Sequence, residues 1–244
     1  MNDKRLIFVL SPGRCGTAYL ASVLATIPGV TALHEPHPVF TDPFRAYMGN
    51  RAALRQWWQD YKLPSISAQP GSVYICTSHM FVKGFVEPLL ELGEMPDVII
   101  LRRPAREVAL SLWRMGCIPA RTAKGLKYLY KPNDPGVLDR FFQWNDLTDY
   151  GMCYWYAKEI ETRQSYYRPL FDTVYETTTG EIISQDHFLK LVQAMGLPQP
   201  DMEQYNAVKN TRVNGTEPWK MDYWPPCWIG AQERMVEHGM ADPA

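Results

Sequence analysis

The chain has 244 residues, 46% hydrophobic and 21% charged, the composition of an ordinary globular protein with a sizeable core. Its formal net charge is −1, so no global basic field points to nucleic acid, and any anion site must be built locally. No apolar run approaches the ~18 residues of a membrane span. Five cysteines, odd in number and without a CxxC pair, fit reduced thiols and a cytoplasmic location.

In chain order, MNDKRLIFVL carries too short an apolar run for a signal peptide and reads as a first strand over Arg5–Leu10. Ser11-Pro12-Gly13-Arg14-Cys15-Gly16-Thr17 follows, a glycine-bearing turn into a helix predicted over Thr17–Thr26. Such a turn presents successive backbone N–H groups at a helix N-terminus, which makes an anion site, above all for phosphate. The Walker A pattern would put a lysine before Thr17; Gly16 stands there, and Arg14 sits inside the loop. A planar, permanently charged guanidinium suits a donor with fewer phosphates and a different transferred group. The plain alternative is a tight strand–helix turn with no ligand.

Further strands are predicted over Val30–Leu33, Val73–Thr77, Val98–Leu101 and Thr173–Tyr175. Each is short, apolar and largely unalternating, as parallel strands buried on both faces are. Helices are predicted over Ala46–Tyr61, Val82–Leu92, Arg106–Met115, Leu138–Ser165 and Phe188–Met195, the last ended by Gly196-Leu197-Pro198. The alternation argues for a three-layer α/β/α fold around a mostly parallel sheet. The whole of 1–244 reads as one domain with covering loops at 41–71, 119–135 and 206–244, which hold much of the proline and aromatic content.

The fourth strand ends in Arg102-Arg103, and Ser111 lies eight residues beyond Arg103 on the following helix. Ligands bind at strand carboxyl ends in open α/β sheets, and an arginine with a hydroxyl there can grip a second phosphate.

Together these segments resemble the sulfotransferases that use 3′-phosphoadenosine 5′-phosphosulfate (PAPS). Ser11–Thr17 is similar to that family's S-x-G-R-x-G-T loop, and Arg103…Ser111 to its 3′-phosphate motif. Val174-Tyr175-Glu176 resembles its late Y-E, and FLKLVQAMGLP at 188–198 the helix that follows. The resemblance spans about residues 5 to 198. It implies a P-loop-type α/β fold and transfer of a sulfuryl group from PAPS to a hydroxyl or amine of a small-molecule or carbohydrate acceptor. It also implies a 5′-phosphosulfate loop of Ser11, Gly13, Arg14, Cys15, Gly16, Thr17 and Ala18, with Arg103 and Ser111 on the 3′-phosphate and Tyr175 near the adenine. The arginine at 14, where cytosolic members carry lysine, resembles Golgi and many bacterial members. Pro104 is displaced by one position from the family's proline, which leaves Arg102 and Arg103 both open as the contact. The RKGxxG element of cytosolic members is absent; residues 209–215, with Arg212, stand in its place.

Sulfuryl transfer needs a base for the acceptor proton, typically worth ~10²–10⁴-fold in rate. Glu35 follows the second strand, at a spacing from Arg14 similar to the base glutamate of tyrosylprotein-type members. His79 follows the third, similar to the T-H of cytosolic members. The arginine-type loop and the stiffening Pro36 favour Glu35. His34 and His37 lack a third ligand, so no metal is expected. Trp113, Tyr150, Tyr154, Trp155, Trp219, Tyr223, Trp224 and Trp228 are candidate acceptor-pocket residues; Trp155 and its neighbours on the long helix read rather as core, and those of the proline-rich C-terminal loop are the better pocket candidates. A P-loop kinase-like enzyme and a catalytically silent nucleotide-binding module are the rival readings. The sequence carries no signal of oligomeric state.

Overall fold

Runs of β-branched and aromatic residues free of glycine and proline become the strands of one sheet: β1 (Arg5–Leu10), β2 (Val30–Leu33), β3 (Val73–Cys76), β4 (Asp97–Arg102) and β5 (Val174–Thr178). The structure is a computed structural model that describes residues 4–141, 143–210 and 226–240. Among these the sheet has the order β2-β3-β1-β4-β5, and every pairing is parallel. The expectation of a mostly parallel sheet is therefore met by a wholly parallel one. Ile7 to Leu10 and Val98 to Ile100 are fully buried, so both faces of the middle strands are covered, which explains their lack of alternation.

Because all strands run the same way, their carboxyl ends share one edge. Phe8 of β1 pairs with Cys76, Cys76 with Leu33, Leu10 with Ile100, and Arg102 with Thr178. The chain order reverses at β1, which lies between β3 and β4, and the crevice beyond such a switch point is the usual ligand site of an open α/β sheet.

The chain divides into two compact units, Met1–Arg103 with Tyr167–Gly215, and Pro104–Tyr166 with Thr216–Ala244. The first carries the sheet and the helices α1 (Thr17–Leu24), α2 (Thr41–Ala46), α3 (Arg51–Trp57), α4 (Leu63–Ser67) and α5 (Val86–Leu90). The second carries α6 (Ala105–Arg114), α7 (Ala123–Tyr128) and nearly all of α8 (Asp149–Tyr167). The chain then returns to the first unit for α9 (Thr179–Ile183), α10 (Gln185–Ala194) and α11 (Met202–Val208), and ends in the second with α12 (Pro226–Met240).

Several predicted helices differ from those observed. The single helix over Ala46–Tyr61 is instead α2, α3 and a π-helical turn (Trp58–Lys62) that runs into α4. The break falls at Gly49, whose φ is 76°, and Asn50, whose side chain accepts from the Ala53 N–H and starts α3. The 41–71 segment is thus largely helical rather than loop. Its Trp57 and Trp58, with Phe40 just before it, pack with Phe81 and Phe85 in one aromatic cluster, and Phe8 of β1 stacks on Phe81 at 4.3 Å. The helix expected over Leu138–Ser165 begins only at Asp149. Backbone N–H groups of Leu138 and Asp139 donate to buried Glu159, the Asp139 carbonyl accepts from the Trp155 indole, and the Thr148 hydroxyl accepts from the Gly151 N–H. The bonds to Glu159 and Trp155 take Leu138 and Asp139 out of the helix, only a 3-10 turn (Trp144–Asp146) forms upstream among the described residues, and the Thr148 hydroxyl marks where α8 starts.

In the second unit, Glu159 and Arg163 form a fully buried ion pair at 2.6 Å, and Arg163 also donates to the Gly136 carbonyl. Glu233 of α12 receives both the Arg106 guanidinium and the Tyr150 hydroxyl, and Glu237 receives the Tyr154 hydroxyl at 2.7 Å.

Candidate active site

The loop after β1 is shaped by its glycines. Gly13, Arg14 and Gly16 all take positive φ (82°, 60° and 83°), a left-handed run in which only Arg14 carries a Cβ. Gly16 caps α1, and no side chain caps that helix among the described residues, so its first N–H groups face the loop. Ser11 is fully buried at the end of β1, and its hydroxyl accepts from the Gly13 N–H at 3.2 Å. Thr17 is buried at the first position of α1, and Ala18 follows it, half-buried. The Cys15 thiol is buried against the Gly13 carbonyl, and burial pushes it up to about 11 despite nearby Arg103 and Arg14, so it stays a thiol at neutral pH.

The strand ends bring other predicted residues to this loop. His79, just beyond β3, packs on Gly13: a Cβ added there would lie 3.1 Å from the imidazole Cγ. Glu35, just beyond β2, has a left-handed backbone at φ 50°, and its Oε1 lies 3.8 Å from His79 Nε2. That oxygen is buried with no hydrogen-bond partner. A buried carboxylate oxygen without a protein partner calls for an explanation, and a role toward a bound group is one. The loop bearing Glu35 is held by Lys62, fully buried, whose ammonium donates to the carbonyls of Pro36 (2.8 Å) and Pro38 (2.9 Å). Burial pushes the Lys62 ammonium below its usual range, partly offset by Cys76 and Glu35.

Burial, then the ammonium of Lys83, then His34 and Arg14 hold His79 well below the usual imidazole range. His34 is lowered too, by burial, with Glu35 opposing, and its Nδ1 lies 3.2 Å from the Thr77 hydroxyl. Both imidazoles are therefore neutral around pH 7.

From β4, Arg103 turns to the loop and donates from Nη1 to the Arg14 carbonyl at 2.7 Å. Arg102 turns the other way, to Glu176 of β5 at 3.3 Å, where Arg168 also binds. The sequence left this pair open; the alternation of side chains along the strand end separates them. Tyr175 is not brought to the loop. It pairs in register with Ile99, and its hydroxyl accepts from Arg5, at the opposite end of β1. Ser111 lies half-buried on α6 in the second unit. There too, Trp113 meets Tyr150 edge-on, Trp155 is fully buried as expected of a core residue, and Trp228 lies on α12. Arg212, Trp219, Tyr223 and Trp224 lie outside the described residues.

Three residues at this site escaped sequence reasoning. Thr179, the N1 residue of α9, donates to the Cys15 and Arg102 carbonyls and ties the loop to β4. Lys62 and Lys83 are the others. Only the run Thr177-Thr178-Thr179 before Gly180 held a signal, that of a helix cap, and Thr178 does form a capping box with Glu181. Among the described residues, no group of three or more His, Cys, Asp or Glu side chains is placed to hold a metal, and no helix is long and apolar enough to cross a membrane.

No family model matches the sequence, and no curated protein matches it. Solved structures do. The chain is similar to a sulfotransferase domain from the curacin biosynthetic pathway, at 12% identity and a TM-score of 0.51, over 86% of this chain and 79% of that one. It is also similar to sulfotransferase STF1 from Mycobacterium tuberculosis H37Rv, at 12% identity and a TM-score of 0.50, over 98% of this chain and 76% of that one. With its parallel sheet and the loop that follows β1, the chain has the sulfotransferase fold.

Proposed function

We propose that the protein is a sulfotransferase that moves a sulfuryl group from PAPS to a hydroxyl of a small-molecule or carbohydrate acceptor. One observation carries this reading. Glu35 Oε1, buried and without a partner, stands beside His79, and His79 packs on Gly13 of the arginine-bearing loop.

In this scheme the backbone N–H groups from Gly13 to Ala18 hold the 5′-phosphate at the start of α1. Arg103, a planar fork of five N–H donors, takes the 3′-phosphate. The acceptor oxygen attacks sulfur in line as its proton passes to Glu35. The bond from sulfur to the bridging oxygen of the 5′-phosphate breaks, and 3′-phosphoadenosine 5′-phosphate leaves with the electron pair. Arg14 neutralises the charge that builds on that bridging oxygen.

Incubation with sulfur-labelled PAPS and a panel of hydroxylated acceptors tests the reading. Transfer of label to an acceptor is the expected result. Tight binding of the desulfated nucleotide with no transfer to any acceptor would mark a silent binding module, and magnesium-dependent ATP turnover would mark a kinase.

A further inference from the structure

Lys83 has no part in the scheme above, yet it is buried in the site. It lies four residues beyond His79 and is 1% exposed. Its Nζ stands 2.9 Å from His79 Nδ1 and 3.4 Å from Met80 Sδ, and its backbone N–H closes a tight turn on the Met80 carbonyl. An ammonium has three donors and no acceptor, so His79 Nδ1 must accept from it. A neutral imidazole that accepts at Nδ1 carries its proton on Nε2. Nε2 is the nitrogen that faces Glu35, with Oε1 3.8 Å away. One hydroxyl oxygen can serve both groups at that separation, accepting from Nε2–H while donating its own proton to Oε1.

We infer, resting on the sulfotransferase reading, that Lys83 is a positioning residue that locks His79 as the Nε2–H tautomer, so that His79 donates to the acceptor oxygen and Glu35 alone removes its proton. His79 then cannot be the base, because its one lone pair is occupied by Lys83. Among the groups that face the imidazole are Lys83 from its own segment, His34 and Glu35 from the loop after β2, and Arg14 from the loop after β1. Lys83, His34 and Arg14 oppose a charged ring; Glu35 favours one. Without the Lys83 charge, the ring would protonate at higher pH and, as a cation, would pair with Glu35 and quench it as a base.

The test is nitrogen NMR of the imidazoles, on the nucleotide-free full chain, for wild type, Lys83→Met and Lys83→Arg. The wild-type His79 ring should show the Nε2–H tautomer and stay neutral well below the ordinary value of ~6.5. Lys83→Met should show mixed tautomers and titrate at higher pH than wild type, with burial, His34 and Arg14 still holding the ring below its ordinary value, and kcat should fall on the acid side as the ring charges with KM for PAPS unchanged. Lys83→Arg, which keeps a charged donor, should restore the wild-type profile. A wild-type ring protonated on Nδ1 would overturn the inference even if Lys83→Met fails to fold. So would a Lys83→Met ring with unchanged tautomer and titration. The expected ring signals with no sulfuryl transfer by wild type would keep the tautomer lock and overturn the catalytic half with the sulfotransferase reading.

Discussion

In the proposed scheme Arg14 stands where the leaving group gathers charge, and its backbone is left-handed at φ 60°, uncommon for a residue with a Cβ. Arg14→Ala is expected to lower turnover by ~10²–10³-fold at saturating PAPS while nucleotide affinity falls much less. Lysine should restore part of the loss, since its point charge lacks the planar fork. Glu35→Gln keeps shape but cannot take a proton, so it should abolish measurable turnover with nucleotide affinity unchanged by calorimetry; His79→Ala should be the milder of the two. The opposite order would make His79 the base. At this scale the position of the 11–17 loop, Glu35 and His79 at strand carboxyl ends was readable, because each closely follows a short apolar run. The sequence was unreadable where a residue acts through a neighbour distant in sequence: nothing near Lys62 signals that its ammonium would brace Pro36 and Pro38.

At the scale of elements, the strands were legible because they are short apolar runs with both faces covered. β1 and β2 fall on their predicted bounds, and β5 runs three residues further than expected, through polar Glu176-Thr177-Thr178, which pair with β4. The helices were less legible, since Gly49 and Asn50 end one and start another inside a continuous amphipathic pattern. The turn from β1 to α1 depends on two glycines, and one of them is also a packing surface. Gly13→Ala forces a side chain into a φ of 82°, at a cost of about 1–2 kcal/mol, and drives its Cβ to 3.1 Å from the His79 ring. The variant should melt lower than wild type and lose turnover by more than its stability loss explains, because the imidazole is displaced. Normal kcat with a lowered Tm would show that His79 tolerates the shift. The end of β4 gives a second test. Wild type should bind 3′-phosphoadenosine 5′-phosphate more tightly than AMP, and Arg103→Ala should erase most of that preference while Arg102→Ala keeps it. Equal affinity of wild type for both ligands would remove Arg103 from the 3′-phosphate.

For the molecule as a whole, sheet order could not be read from strand patterns, because any parallel arrangement of five apolar runs satisfies them. The order places β1 at the switch point, and that placement, rather than any one motif, gathers Glu35, His79 and Arg103 around one loop. The division of the chain into two units was equally invisible, since the boundary at Arg103–Pro104 falls between a strand and its following helix without a linker. The second unit depends on its own buried polar centre. Glu159 accepts from Arg163 and from the N–H groups of Leu138 and Asp139, and the Arg163 guanidinium stacks 4.4 Å from the Tyr130 ring. Arg163→Met leaves a fully buried carboxylate with two backbone donors and no counter-charge, and strips the Gly136 carbonyl of its donor. Breaking one side of such a pair costs about 3–5 kcal/mol, which denaturant unfolding at neutral pH should register. The pH dependence has a definite sign. Burial already holds the Glu159 carboxyl above its ordinary value, against the pull of Arg163, and removing the arginine raises it further. A carboxyl raised in the folded state is most compatible with folding when protonated, and that compatibility is lost as pH rises through the folded value. The deficit of Arg163→Met relative to wild type should therefore shrink in mildly acid solution and grow toward neutrality. A deficit independent of pH would assign the loss to packing against Tyr130 instead of to the unpaired charge.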